Sequence, residues 1–474
     1  MRPRILRSVA AASATAVAAI ALLTGTAAAA PPAPAPVTTR SVSFTGSGGI
    51  TLHGTVFAPS NSPAEATRRP GLVMVGGSTS AAHATPATTA LRPEAESYAR
   101  RGVVTLVYDK RTVGYSTFHH DYAQLGDDAL AALRALDRQP GVDPARSGLW
   151  GLSEGAWAVS LAAAKSQDVR FVVTIGAAGL PPARQTGWTD EQLFRHAGLS
   201  GSMPGAVNRA LRLVSSAGLY PAADYDPLPA WRRLRQPVLL LWGDRDRQAV
   251  PAESTRLISA ALAQGGNRQV TVRFLPGNHD LHTPTDDGFP HTPTQIPGAA
   301  DLVAGWINDP SHTPPPGLGT SSPTPHQLTA SRPLAPINVG LEIAAATALL
   351  AAFASYPATA ATRRLMGRRT APAVRAPARL LAATGLAGTG LSLLYLVFLV
   401  ADTGGYTLGP LLGGRTLPWL GLQVLAATTV AATVATAALW WRRRDGGGAV
   451  RLAILLAGGL LFIPWALSWG LLLP

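Results

Sequence analysis

Leu149-Trp150-Gly151-Leu152-Ser153-Glu154-Gly155 is the stretch on which the reading of this chain turns. A short apolar run ends in Gly-x-Ser-x-Gly, and the next residues, Ala156–Lys165, are rich in alanine and suited to a helix. A serine between two glycines at a strand-to-helix turn can be held with its hydroxyl pointing out of a sheet, because the glycines leave room for the strained bend. The pentapeptide is short and the chain holds 48 glycines, so the neighbouring sequence has to carry the argument.

Outward from this turn, between Ser41 and Asn308, short β-rich runs alternate with helical stretches, the pattern of a mostly parallel α/β sheet. Ser41–Phe57 reads as a leading pair of strands turning at Gly46–Gly49. Gly71–Val75, Val103–Tyr108, Gly148–Leu152, Phe171–Ile175, Val238–Trp242 and Val270–Leu275 read as buried strands, Val- and Leu-rich as parallel strands are. Helices are expected at Glu94–Arg101, Gln124–Arg138, Ala156–Lys165, Ala252–Ala263 and Ala299–Asn308. The stretch 176–235 has no strand pattern but contains the helical pieces Gln192–Ala197 and Ala206–Ala217. It would lie over the carboxyl ends of the strands as a lid.

If Ser153 is a nucleophile it needs a base, and the base needs an orienting carboxylate. In such a sheet the order along the chain is serine, acid, histidine, with the acid just past a late strand and the histidine in the loop after the last. Leu240-Leu241-Trp242-Gly243-Asp244-Arg245-Asp246 ends one strand, and Asp246 is preferred to Asp244 by its distance from the strand end. Phe274-Leu275-Pro276-Gly277-Asn278-His279-Asp280 ends the next and offers His279. An oxyanion hole requires two N–H groups: the amide of Glu154, opening its helix, and one from Gly76-Gly77-Ser78-Thr79-Ser80, with Ser78 as the chosen donor. His119, His120, His282 and His291 read as solvated loop histidines. Adjacent histidines do not share a helix face, so His119 and His120 beside Asp121 do not make a metal site, and no cofactor is called for.

At this point the chain resembles the α/β-hydrolase superfamily, in the esterase branch related to dienelactone hydrolases and bile-acid-CoA acyltransferase-type thioesterases. The resemblance spans about residues 41–308 and rests on five motifs in order: Gly-Ile-Thr-Leu-His-Gly-Thr-Val-Phe-Ala-Pro (49–59), Tyr-Asp-Lys-Arg-Thr-Val-Gly-Tyr-Ser (108–116), Gly-Leu-Ser-Glu-Gly (151–155), Gly-Asp-Arg-Asp (243–246) and Gly-Asn-His-Asp (277–280). It implies a doubly wound sheet with a helical lid, Ser153 as nucleophile, Asp246 as orienter and His279 as base. Asp109-Lys110-Arg111 is family-like and structural, with the lysine and arginine free to face the pocket. The family usually has His-Gly at the oxyanion strand end, where this chain has Gly76-Gly77.

The rest of the chain is of another kind. Residues 1–30 carry Arg2, Arg4 and Arg7, then the apolar run Val9–Leu23 and a small-residue stretch, the layout of a secretory signal peptide; 31–40 is a linker. A Pro/Ser/Thr-rich linker at 309–336 leads to 337–474, where Ile337–Ala360, Leu380–Ala401, Leu417–Trp441 and Leu452–Leu473 are each long and apolar enough to cross a bilayer as helices. Arginines crowd the first and third connections and are sparse in the second. The positive-inside rule therefore makes the crowded loops cytoplasmic and puts residues 31–330 outside, as the signal peptide independently does. Glu342 is the one acid within a span, and it lies close enough to the outer end to reach headgroups or water.

The net charge of +14 follows from this layout: residues 331–474 hold twelve Arg and three acids, so the basic excess flanks spans and does not mark a nucleic-acid surface. There is no cysteine, which excludes disulfides and thiolate chemistry. The reading is a membrane-tethered extracytoplasmic serine hydrolase for small acyl esters or thioesters, with lipid around its four spans. The competing readings are a serine peptidase of the prolyl-oligopeptidase type, disfavoured because those usually carry a propeller, and a non-catalytic binding or sensor module.

Overall fold

The computed structural model describes residues 36–474 apart from 61–67, 79–84, 117–118, 221, 285–287, 290–291, 293, 324–329, 368–373, 402–408 and 444–448. The expected signal peptide, Thr79, Ser80 and His291 lie outside the described residues. The elements begin with β1 (Val37–Thr45), β2 (Thr51–Pro59), β3 (Arg69–Val75), α1 (Ala87–Ala90), α2 (Arg92–Arg100) and β4 (Val104–Tyr108). Next come α3 (Tyr122–Asp137), β5 (Val142–Leu152), α4 (Glu154–Lys165), β6 (Val172–Ile175), α5 (Pro182–His196), α6 (Met203–Ser216) and α7 (Leu228–Arg233). The α/β part closes with β7 (Val238–Gly243), α8 (Pro251–Gln264), β8 (Val270–Leu275) and α9 (Ala299–Asn308).

The strands form one eight-stranded sheet in the order β1-β2-β4-β3-β5-β6-β7-β8. The β1–β2 and β2–β4 pairs are antiparallel and every later pair is parallel, the α/β-hydrolase arrangement. Both faces are covered, which explains the near-continuous apolar strands. In β3, Val73 and Val75 face one core while Leu72 and Met74 face the other. Helices α3 and α4 cover the first face, through Leu125, Ala129 and Trp157. Helices α2 and α9 cover the second, through Ala95, Leu302 and Trp306. β5 starts six residues before the expected strand: Val142 and Asp143 pair with Arg69 and Pro70 across a bulge, which the polar sequence Asp-Pro-Ala-Arg conceals.

Four long helices follow: α10 (Val339–Leu365), α11 (Arg375–Ala401), α12 (Leu417–Arg443) and α13 (Ala449–Ser468), with the two-residue strands β9 (Leu411–Leu412) and β10 (Arg415–Thr416) paired ahead of α12. All four are long and apolar enough to cross a membrane, with mean hydropathy from 1.6 to 2.0. Small residues let them approach: a Cβ on Gly459 would lie 2.4 Å from Thr433 Oγ1, and one on Gly458 2.7 Å from the Ala352 Cβ. Buried Thr429 and Thr433 return their hydroxyls to carbonyls one turn back, at 2.8 Å each, so neither presents an unpaired donor in an apolar setting.

The segment 176–235, expected as a lid, packs against the long helices. The apolar stripe Met203, Val207, Ala210 and Leu211 of α6, with Phe194 of α5, shares one core with Trp419, Trp469 and Leu471 of the helical bundle. Polar contacts fix this seam. Ser202 Oγ donates to the Gly470 carbonyl at 2.7 Å, and Ser200 N–H donates to the Gly414 carbonyl at 2.8 Å. Glu342 is not left to headgroups or water, as its sequence position suggested. It is an ion-pair partner of Arg209 on α6 and accepts from Trp469 Nε1 at 3.2 Å.

Candidate active site

The parallel register brings the carboxyl ends of the late strands to one edge. Leu152 pairs with Ile175, and Gly243 with Leu275, so Ser153, Gly176, the 244–246 turn and the 277–280 loop leave the sheet side by side. Ser153 occupies φ 53°, ψ −117°, a conformation that costs a non-glycine residue energy and persists only where its surroundings enforce it. Here they do. A Cβ on Gly155 would stand 2.3 Å from the Val75 carbonyl oxygen, and one on Gly151 2.6 Å from the Gly155 backbone, so the turn closes only with glycine at both places.

His279 and Asp246 are joined directly, Nδ1 to Oδ2 at 2.9 Å, both about 3% exposed. The other oxygen of Asp246 accepts the N–H groups of Gln248 and Ala249, each at 2.8 Å, so the carboxylate is fixed in the plane the imidazole needs. The histidine loop is shaped by Asn278, whose Oδ1 accepts the N–H groups of Asp280 and His282 at 3.1 and 2.9 Å. Burial works against a charged imidazole, but the charge of Asp246 and its hydrogen bond outweigh that, and the pKa of His279 is raised above 6.5.

The His279 ring lies over Gly176, where a Cβ would come within 2.5 Å of Cε1, and the residue before it, Ile175, accepts the Ser153 N–H at 2.9 Å. His279 Nε2 is buried and has no hydrogen-bond partner among the described residues, so no hydrogen bond joins it to the Ser153 hydroxyl. Such contacts commonly tighten only when substrate arrives.

Around Ser153 the backbone offers donors. Glu154 N–H opens α4, where the helix dipole favours negative charge. Gly77 runs against Ser153, a Cβ there falling 3.3 Å from the Ser153 Cβ, and Ser78 follows it with its side chain exposed.

Sequence reasoning missed the side chain of Glu154. Its buried carboxylate accepts from Lys110 Nζ at 2.6 Å and from the Tyr115 hydroxyl at 2.6 Å, and meets His120 Nδ1 at 2.9 Å. Burial alone would raise its pKa, yet Lys110 and His120 hold it down to about 2. Lys110 also donates to the Gly77 carbonyl at 2.7 Å, tying the loop beside Ser153 to Glu154, the residue that follows it. Tyr220, from the segment after α6, lies tilted beside His120 with ring centroids 6.3 Å apart.

Two expectations are therefore corrected. His120 is a partner of the buried Glu154, and His282 is held by Glu94 on α2 at 3.0 Å; both are anchored loop histidines, while His119 is exposed as expected. Arg111 turns away from the pocket onto Asp128, a buried pair at 2.7 Å that fastens α3 to the turn after β1, since Ser47 N–H and C=O join the same two groups.

Residues 90–290 match the family model described as the prolyl oligopeptidase family. A polyketide transferase of Penicillium crustosum is 34% identical over 83 residues, 17% of this chain; the chain spans 27% of that relative's length. Among solved structures, a putative dienelactone hydrolase of Klebsiella pneumoniae superposes with a TM-score of 0.39 at 14% identity, over 57% of this chain and 98% of the other. An acylaminoacyl peptidase of Pyrococcus horikoshii gives a TM-score of 0.37 at 16% identity, over 51% of this chain and 38% of the other. The family match falls on the mostly parallel eight-stranded sheet and the helices that cover it.

Proposed function

We propose that this chain is a membrane-tethered serine hydrolase that cleaves carboxylic esters or thioesters through an acyl-enzyme intermediate, with Ser153, His279 and Asp246 as its triad. The observation that carries the reading is the buried Asp246–His279 pair with its outer nitrogen unpartnered beside a serine held at positive φ. In the forward step Ser153 Oγ attacks the acyl carbonyl and passes its proton to His279 Nε2, while Asp246 holds the imidazole and stabilises the imidazolium. The carbonyl oxygen turns negative between the amides of Glu154 and Ser78, near the positive end of α4. The His279 proton goes to the departing alkoxide or thiolate. Water, activated by the same nitrogen, then releases the acid and restores the serine.

The arginine-crowded ends of the four long helices support an orientation with the hydrolase domain outside the membrane and lipid around the spans. A peptidase reading draws on the family match at 90–290. Turnover of p-nitrophenyl acetate and butyrate against an acyl p-nitroanilide separates the two. Ester turnover that exceeds anilide turnover and disappears in Ser153→Ala is the expected result; preferred anilide cleavage would move the assignment to peptidases, and no turnover of either would leave a binding module.

A further inference from the structure

One ammonium group beside Ser153 reaches two places at once. Lys110 Nζ donates to the Gly77 carbonyl at 2.7 Å and to Glu154 Oε1 at 2.6 Å. These contacts fall on the two backbone segments that flank Ser153. A Cβ on Gly77 would lie 3.3 Å from the Ser153 Cβ, and Glu154 is the next residue of the chain, opening α4. The lysine side chain is 6% exposed and the glutamate 4%, so the pair is held apart from bulk solvent.

The geometry of the peptide unit gives the first contact a consequence. The Gly77 carbonyl and the Ser78 N–H belong to one planar group and point in opposite directions from it, so a bond that fixes the carbonyl also fixes where the N–H is aimed. That N–H is the second donor of the proposed oxyanion hole. The first is the amide of Glu154, whose side chain the same lysine holds. A loose loop after β3 would have to be ordered as charge develops, whereas donors already aimed need no reorganisation at that moment. The residue type suits the task, because an ammonium has three diverging N–H groups and can serve a carbonyl and a carboxylate together.

Satisfying Glu154 does not by itself call for this bridge. Its carboxylate also accepts from the Tyr115 hydroxyl at 2.6 Å and meets His120 Nδ1 at 2.9 Å. A buried ion pair adds little net stability over an apolar pair of equal volume; what this one adds is a defined geometry beside Ser153. Arg111, the next residue, provides the contrast, since its buried pair with Asp128 fastens α3 to the turn after β1.

We infer that Lys110 is a positioning residue for catalysis: by bridging the Gly77 carbonyl and the Glu154 carboxylate it sets the aim of both oxyanion donors. The inference rests on the serine-hydrolase reading and adds a residue to it.

The test uses the full chain in membranes, with p-nitrophenyl butyrate as substrate and an alkyl trifluoromethyl ketone as probe. Ser153 Oγ adds to the ketone carbon while His279 takes its proton, which leaves on the adduct an oxyanion that the bound ester lacks. Lys110→Met removes the bridge. Lys110→Met/Glu154→Gln removes it without leaving one charge of the buried pair uncompensated. Arg111→Lys disturbs the neighbouring buried pair instead.

Both Lys110 variants are expected to lose about 10–100-fold in kcat with KM unchanged, and to bind the ketone more weakly by a similar factor, while Arg111→Lys keeps the wild-type kcat. A lysine with a structural role alone would lower the unfolding temperature without this split. An unchanged kcat in the folded double variant, a rise in KM alone, or an equal loss in Arg111→Lys overturns the proposal and leaves the hydrolase reading standing. A wild type without Ser153-dependent turnover overturns that reading, and the proposal with it. Should Lys110→Met fail to fold, the double variant decides alone.

Discussion

At the scale of single residues, the site depends on groups that are buried and already satisfied on every side but one. Asp246 accepts three hydrogen bonds, two from backbone and one from His279, so removing it frees the imidazole to turn. Asp246→Ala is expected to lower kcat by roughly 10³–10⁴-fold with the fold intact, measured on a p-nitrophenyl ester. The base must be neutral to take the serine proton, and Asp246 stabilises its charged form. Activity is therefore expected to rise with pH along a limb centred above 6.5, and a kcat/KM profile centred below that value would contradict the assignment. Glu154 is the complementary case. Its pKa is held near 2 against an ordinary 4.5, so the stability it contributes is present above 4.5 and lost as pH falls toward 2. Glu154→Gln would leave the buried Lys110 ammonium without its counter-charge and is expected to cost about 3–5 kcal/mol in denaturant unfolding.

At the scale of elements, legibility in the sequence followed the reach of the interactions. The strands were readable because parallel strands covered on both faces must be apolar throughout, and the serine, acid and histidine because each sits within a few residues of a strand end. The convergence of Lys110, Tyr115 and His120 on Glu154 was not readable, since these partners lie 34 to 44 residues from it and nothing in their spacing says which loops meet. The stripe on α6 was equally ambiguous: Met203, Val207, Ala210 and Leu211 describe an amphipathic helix without naming what covers it. The turn itself gives a sharp prediction. Gly155→Ala forces a methyl against the Val75 carbonyl, with backbone on both sides unable to yield, and is expected to destabilise the protein by about 1–3 kcal/mol or more in thermal unfolding.

At the scale of the whole molecule, the bundle of long apolar helices also packs against α5 and α6 of the 176–235 segment. The shared core of α5, α6 and the long helices, the Ser202–Gly470 contact and the Arg209–Glu342 pair make α5 and α6 one packed unit with the bundle. Glu342→Gln is expected to loosen that seam, by about 1 kcal/mol for a pair that is partly exposed, and to speed amide exchange in α6 while leaving α3 and α4 unchanged. All of this presumes that Ser153 is an activated nucleophile, and one experiment addresses that most directly: fluorophosphonate labelling of membranes containing the full chain as wild type, Ser153→Ala and His279→Ala. The account predicts labelling of the wild type, none of Ser153→Ala and little of His279→Ala. An unlabelled wild type that is correctly folded, or labelling that survives Ser153→Ala, would contradict it.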